Sequence, residues 1–428
     1  MSLPRRRFLA ASAALPAAAL LPDLVPPATA QTGTKPSFDP WVEVNPAHLA
    51  HNVGEIRRRA GGRPILAVIK NNGYGLGLLN VARLLEPEAG VSGFAVVKLQ
   101  EALLLRDGGI RKPILLMGPV ADAELFEVVR RDVMPMVYTD VGGALDAAAA
   151  RLQRTIPLHV CVDTGIGRVG VPFHEAEPLI RALAAHRSVR VGGIMTTFTE
   201  DAEFDREQLR RFTGLCGRLR DQGIEIGARH AASSFGLFRN PAAFLDMVRP
   251  GMVIYGAYPE PEFRGTVMDL RPAVSLKARV IYVKQLRPGD GAGYNRAYVA
   301  KQPVWVATLP VGHADGLPRM AVKGGRVRIG ARLYPLIGAI SASHSIVEIG
   351  AERSVAVGDE VAFFDDCEGS RPEDLGAACG ASVYDLTMHL NPLLPRVVGG
   401  QVSHCCILRD LAPLPTSARS TVQRFTPR

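Results

Sequence analysis

Cysteine is sparse in the 428-residue chain, and the six present, Cys161, Cys216, Cys367, Cys379, Cys405 and Cys406, show no zinc-ligand spacing. That excludes a zinc-ribbon or disulfide-stapled scaffold; Cys367 with Cys379 is the one pair worth testing as a disulfide. Aromatic residues make up only 6% of the chain, and no run of basic residues is interleaved with them. The net charge of +9 is therefore scattered, which excludes a nucleic-acid surface and leaves a mild attraction for anionic molecules. Beyond the first 30 residues no segment is apolar enough to span a bilayer. With 47% hydrophobic and 21% charged residues, what remains is an ordinary globular protein with chain for about two domains.

The N-terminus reads PRRRFLAASAALPAAALLPDLVPPATA: a charged start, an Ala-rich apolar middle and the small-residue pattern Ala28-Thr29-Ala30. This predicts an export signal over residues 1–30. Arg5-Arg6-Arg7 followed by Phe8 and Leu9 matches the twin-arginine type, a short general-secretion signal with an extra arginine being the alternative. Pro16, Pro22, Pro26 and Pro27 interrupt the apolar stretch, so no stable membrane span is expected. The mature chain is expected to start near Gln31, in the periplasm or outside the cell.

From residue 40 short β-like runs alternate with amphipathic helical patterns. The runs include Trp41 to Val44, Pro64 to Ile69, Gly93 to Val97, Pro113 to Met117, Pro157 to Val162 and Val191 to Met195. One helical face carries Leu209, Phe212, Leu215 and Leu219. About eight mostly continuous strand-like runs before Tyr255 predict an α/β fold with a closed (β/α)8 TIM-like barrel over residues 40–262. After residue 262 the texture changes to alternation, with Leu276, Ala278, Val280 and Tyr282 against Lys277, Arg279 and Ile281, and to turns such as Arg287-Pro288-Gly289-Asp290. This predicts a mainly β C-terminal domain over 263–412, with a polar tail at 413–428.

In AVIKNNGYG an apolar run ends on Lys70 and passes into a glycine-containing loop. A barrel strand delivers such a lysine to the active face, where partial desolvation makes its amine a nucleophile for an aldehyde. A strand-end lysine with its amine in solvent fits the spacing equally well.

From about Trp41 to Arg396 the chain resembles the alanine racemase family of fold-type III pyridoxal phosphate enzymes. AVIKNNGYG resembles the cofactor-lysine motif and VDTGIGRVG the arginine loop. HAASSFGLFRNP and MVRPGMVIYG resemble the phosphate and ring-nitrogen segments, and GAGYNRAY the catalytic tyrosine motif. PVGHADGLPR and YDLTMHLNPLLPR follow in the family's order.

The resemblance implies that Lys70 carries pyridoxal phosphate and serves one face of the substrate Cα. Tyr294 then serves the opposite face, from the other subunit of a head-to-tail homodimer. A phenol titrates near 10 in water and acts as a base at neutral pH only beside positive charge. On its own, Tyr294 reads as a strand-edge aromatic at a turn. Arg249 falls where the family places an arginine on the pyridine nitrogen, with His230 as its hydrogen-bond partner; a cation there leaves the nitrogen unprotonated and disfavours transamination. The phosphate is expected on Tyr74, Ser234, Tyr384 and the backbone amides of Gly251 and Met252, although Ser234 equally fits a helix cap. Arg168 is expected beside the cofactor's phenolic oxygen and the substrate carboxylate, with Ala342 also facing the substrate through its backbone.

Several positions depart from the family. Thr197 stands in place of a histidine stacked on the cofactor ring, and Cys161 in place of a carbamylated lysine that orients the Arg168 position. His313 replaces a tyrosine of the entrance, and Ser341-Ala342-Ser343-His344 replaces a Met-Asp pair that narrows the substrate pocket. These departures lead to an amino-acid racemase acting on alanine or a broader set. The alternatives are a binding relative with degraded activity and a fold-III decarboxylase, whose ring-nitrogen partner is acidic and therefore unlike Arg249. An aldolase or dehydratase needs metal ligands, and His344, His389 and His404 with Cys405 have no tight ligand spacing. No metal is expected.

Overall fold

The computed structural model describes residues 38–399. The export signal at 1–30, the tail at 413–428, and His404, Cys405 and Cys406 lie outside the described residues.

Seven parallel strands, Ile65–Val68, Val91–Val96, Ile114–Leu116, Val133–Val137, Ile156–Asp163, Val189–Met195 and Ala228–His230, follow one another around a curved sheet. Ile65–Val68 and Ile114–Leu116 are buried at every position. That two-sided burial suits a barrel wall, with its own interior on one side and helices on the other. Residues 246–250 close the wall. The Asp246 N–H donates to Arg229 O at 3.1 Å on one side, and on the other Leu66 and Val68 donate to Val248 O and Pro250 O, each at 2.9 Å. Outside the wall, Ala202–Asp221 buries Phe212, Leu215 and Leu219 of the expected face, with Leu209 half-buried and Cys216 buried beside them.

Trp41–Val44 does not join the barrel. It lies in a nine-stranded sheet, antiparallel to Val274–Arg279 and parallel to Arg396–Val398. Alternate residues along it are fully buried, Val42 and Val44, while Trp41 and Glu43 are half-buried. A strand with one wet face belongs in a sheet covered on one side, not in a barrel wall buried on both. The remaining strands of this sheet all come from residues 282–364. One expected parity also fails there. Tyr282, placed in phase with Leu276 and Ala278, is 57% exposed, because the chain leaves its pairing with Glu360–Phe364 at Arg279 and starts a new pairing with Val304–Leu309 at Tyr282. The break resets which face points inward. Cys367 and Cys379 are not bridged to each other, against the expected pairing.

Barrel and sheet share a continuous core, reaching from Phe94 and Ile114 to Leu276 and Phe363. Fully buried Asn52 stitches the junction: its amide donates to Ile254 O and Arg271 O, and its oxygen accepts from the Arg271 N–H. Loss of this side chain would orphan buried backbone groups on both sides. Among the described residues no helix is long and apolar enough to cross a membrane.

Candidate active site

The C-terminal ends of the barrel strands converge on one face, where barrel enzymes place their chemistry. Ile65–Val68 delivers Lys70 to this face. The chain then winds left-handed through Asn71, Asn72, Gly73 and Tyr74, with φ of 54°, 58°, 62° and 55°. Such residues cost roughly 1–2 kcal/mol each unless they are glycine. The turn ends at Gly75, with φ of 88°, where an added Cβ would lie 1.9 Å from Thr387 O. Only glycine fits that approach, which seats the turn against the Val383–Met388 helix. Arg396 locks it there, donating from Nε and Nη2 to Gly75 O at 3.1 and 2.9 Å.

The Lys70 amine is held below its ordinary range by burial first, then by the charges of Arg168 and Arg249, with Glu101 opposing. The half-buried lysine thus reaches its nucleophilic, uncharged form more readily than one in solvent.

Arg249, 5% exposed, lies close enough to Lys70 for its charge to act on the amine. Its Nη1 donates to His230 Nδ1 at 3.0 Å, and its Nη2 donates to Thr196 O at 3.0 Å and to Thr197 Oγ1 at 3.3 Å. A guanidinium only donates, so His230 Nδ1 carries a lone pair and its Nε2 carries the proton. That Nε2–H therefore points at His159 Nδ1, 2.9 Å away. Burial brings Arg249 down to about 10, which leaves it charged at neutral pH. Burial, reinforced by His159 and Arg249, holds His230 well below the usual histidine range. His159 is pushed down to about 4, mainly by burial and then by Arg249 and Arg190. The cation at the end of this relay is thus backed by two neutral imidazoles.

A consequence is measurable. His159 binds its proton less readily when folded, so its contribution to stability is fully present above pH 6.5 and lost as pH falls toward 4. Urea denaturation at pH 7 and pH 5 should differ by about 2 kcal/mol from His159 alone. A His159→Gln variant should show a correspondingly smaller difference. An unchanged difference would mean that another group accounts for it.

A second cluster lies beside Lys70. Tyr74 stacks on Tyr255 with ring centroids 4.6 Å apart and packs against Tyr384 at 5.6 Å. Burial drives the Tyr74 phenol far above its usual range, and the neighbouring phenols Tyr384 and Tyr255 reinforce this, so it stays a neutral donor. The Gly251 N–H meets Ser234 Oγ at 3.0 Å, and an added Cβ on Gly251 would lie 2.1 Å from the Tyr74 hydroxyl. Tyr74, Tyr384, Ser234 and the Met252 amide, at the start of the turn Met252–Tyr255, make a neutral donor set, with the Gly251 amide held on Ser234 Oγ. Such a set suits a phosphate, and the buried cation Arg249 suits an aromatic nitrogen acceptor. The residues present fit pyridoxal phosphate.

Two family models match the chain: "Alanine racemase, N-terminal domain" over residues 44–259 and "Alanine racemase, C-terminal domain" over residues 273–398. The chain belongs to the alanine racemase family. An alanine racemase of Desulforamulus reducens is 35% identical over 367 residues, covering 84% of this chain and 99% of that protein. One of Methanococcus maripaludis is 32% identical over 366 residues, covering 83% and 98%. Among solved structures, the alanine racemase of D-cycloserine-producing Streptomyces lavendulae superposes with a TM-score of 0.79 at 29% identity, covering 87% of this chain and all of that one. That of Clostridium difficile gives 0.77 at 28% identity, covering 83% and 94%.

Against the alanine racemase family the departures take physical form. The Cys161 thiol is pushed up to about 11 by burial, so it supplies no negative charge toward Arg168. The exposed Arg168 instead rides on a braced loop. The Asp163 carboxylate accepts from the Gly165 and Gly167 amides at 2.8 and 3.2 Å, and Arg211, stacked over Phe173 and Phe204, donates to Thr164 O at 2.9 Å. Thr197, having no ring to stack, accepts from Arg249 Nη2 through its hydroxyl oxygen. His313 accepts from Arg319 at 2.9 Å through Nε2.

Tyr294 stands apart. It is 71% exposed and lines a recess of about 340 Å³ with Gly293, Thr308, Ala339, Ser341, His344 and Ile346, none of them a residue of the Lys70 cluster. Ala342 lies in the same turn, its carbonyl accepting from the Ala314 N–H at 2.9 Å. The expected site residues therefore fall into two groups: Lys70, Tyr74, Arg168, His230, Ser234, Arg249, Gly251, Met252 and Tyr384 around the barrel mouth, and Tyr294 with Ala342 on the sheet. His159, Tyr255 and Glu101 were not anticipated. His159 lies two residues before Cys161 on one face of Ile156–Asp163, and nothing in that period-two spacing distinguishes it from an ordinary buried strand residue. Among the described residues, the ligand-like grouping of Asp365, Asp366 and Cys367 includes neither His344 nor His389.

Proposed function

We propose that this chain is a pyridoxal phosphate-dependent amino-acid racemase that interconverts L- and D-alanine and also accepts longer amino acids. The observation that carries the reading is Arg249, a buried cation backed by neutral His230 and near enough to Lys70 for its charge to act on the amine. A decarboxylase favours an acid at that position.

When bound, pyridoxal phosphate supplies the electron sink that makes the substrate Cα–H acidic. Tyr74, Tyr384, Ser234 and the Met252 amide, with Gly251 positioning Ser234, would hold its phosphate, Arg249 its ring nitrogen, and Lys70 its aldehyde carbon. Arg168 orients the substrate carboxylate by a charged, forked contact. Lys70 then moves the proton on one face of Cα and the partner subunit's Tyr294 moves it on the other. A homodimer follows, because neither group of residues is complete alone. The barrel binds the cofactor, while the β domain presents Tyr294 and Ala342 to the partner.

The small Ala342 in place of a bulky residue supports a substrate set wider than alanine. Chiral chromatography after incubation with the L-forms of alanine, serine, methionine, lysine and arginine tests this. Turnover of several is expected; turnover of alanine alone would refute the wider pocket. Export through the twin-arginine signal at Arg5-Arg6-Arg7 fits a cofactor loaded before transit, because that route carries folded proteins. Mature protein still reaching the periplasm after loss of that cluster would refute the route.

A further inference from the structure

The turn that carries Lys70 is held by a side chain from outside it. Glu101 is buried on the Leu99–Asp107 helix, and its carboxylate is spent on backbone amides: Oε1 accepts from the Asn72 N–H at 3.0 Å and Oε2 from the Lys98 N–H at 3.4 Å. The first is the amide in the middle of the left-handed turn; the second starts the helix. One carboxylate therefore ties a strained turn to a regular element. Asn72 adds two further ties, its side chain accepting from the Leu78 N–H at 3.0 Å and its carbonyl from the Gly77 N–H at 2.9 Å. Without such over-determination, left-handed Asn71, Asn72 and Tyr74 would relax toward negative φ and carry Lys70 and Tyr74 with them.

The same carboxylate acts on the lysine by its charge. Lys70 is faced by Arg168 from the loop after Ile156–Asp163, by Arg249 from the closing strand and by Glu101 from the helix. The two cations oppose protonation of the amine and Glu101 favours it. Cys161 and Tyr255, close enough to feel these charges, are held neutral by burial.

We infer that Glu101 is a positioning residue for the racemase reaction: it fixes the left-handed turn between Lys70 and Tyr74 and supplies a negative charge opposing Arg168 and Arg249 at the lysine. Only its catalytic consequence rests on the cofactor reading above, since the turn and the lysine can both be examined without cofactor.

The test uses the full chain and two variants. Glu101→Gln keeps an acceptor for the Asn72 amide and removes the charge; Glu101→Ala removes both. Competitive acetylation of the cofactor-free protein, read by mass spectrometry across pH, reports the Lys70 amine. Its midpoint should fall by about one pH unit in both variants. Hydrogen exchange reports the turn: residues 72–75 should exchange at least about tenfold faster in Glu101→Ala and near the wild-type rate in Glu101→Gln. Affinity for pyridoxal phosphate should weaken at least about tenfold in Glu101→Ala and much less in Glu101→Gln. Should Glu101→Ala fail to fold, the Lys70 midpoint in Glu101→Gln decides. An unmoved midpoint together with wild-type exchange overturns the inference. The expected shifts in a protein that binds no pyridoxal phosphate would uphold Glu101 as the clamp and refute the cofactor reading.

Discussion

Lys70→Ala is expected to abolish the absorbance band of lysine-bound pyridoxal phosphate and to lower racemisation by at least about a thousandfold. The amine is a nucleophile at the end of a barrel strand, where it can take the aldehyde. Its environment prepares it, because burial and the charges of Arg168 and Arg249 all favour the uncharged form. The same environment makes the folded state bear a partly buried cation between two others. Removing it should leave thermal stability unchanged or raise it, as happens when function has been bought with local strain. A variant that lost activity together with its cooperative unfolding transition would instead assign Lys70 a structural role.

Tyr294→Phe alone should lower turnover by roughly 10²- to 10⁴-fold, the usual contribution of a positioned acid or base. The larger contrast comes from mixing. If Tyr294 completes the partner's site, an equimolar mixture of Lys70→Ala and Tyr294→Phe subunits, unfolded and refolded together, regains about a quarter of wild-type activity. Half of the random dimers are mixed, and each mixed dimer has one intact site and one doubly impaired site. Were both groups drawn from one chain, the mixture would stay as inactive as its parts. The exposure of Tyr294, in a recess that shares no residue with the Lys70 cluster, predicts recovery.

How much of this was legible in the sequence depended on whether a role is local in the chain. Lys70 at a strand end, the Arg168 loop and the succession from His230 to Arg249 are short motifs whose spacing survives folding, and the barrel mouth gathers them as expected. Continuous apolar runs such as Ile65–Val68 announced a two-sided wall, and residues 246–250 supplied its closing strand without a comparable run. Trp41–Val44 misled because its neighbours in sequence belong to the barrel, while its partners, Val274–Arg279 and Arg396–Val398, lie hundreds of residues away. Only the one-sided burial of Val42 and Val44 distinguishes it. Tyr282 misled for a local reason, since a parity argument assumes an unbroken strand. His159 and Glu101 stayed hidden because each acts through another residue's hydrogen bond, and such a role has no motif. The substitutions at Cys161 and Thr197 looked like losses in sequence. In the structure the Arg168 loop is held by Asp163 and Arg211, and Thr197 contributes a hydroxyl to Arg249.

The central claim is that protons are exchanged at Cα on both faces, and one measurement addresses it directly. The purified protein, loaded with pyridoxal phosphate, is incubated in deuterium oxide with pure L-alanine in one vessel and pure D-alanine in another, and both are followed by chiral chromatography with mass detection. Both should converge on equal amounts of the two enantiomers, with deuterium at Cα of the inverted product. If each enantiomer stays optically pure while the protein holds its cofactor, the account of Lys70 and Tyr294 as opposed proton carriers is wrong.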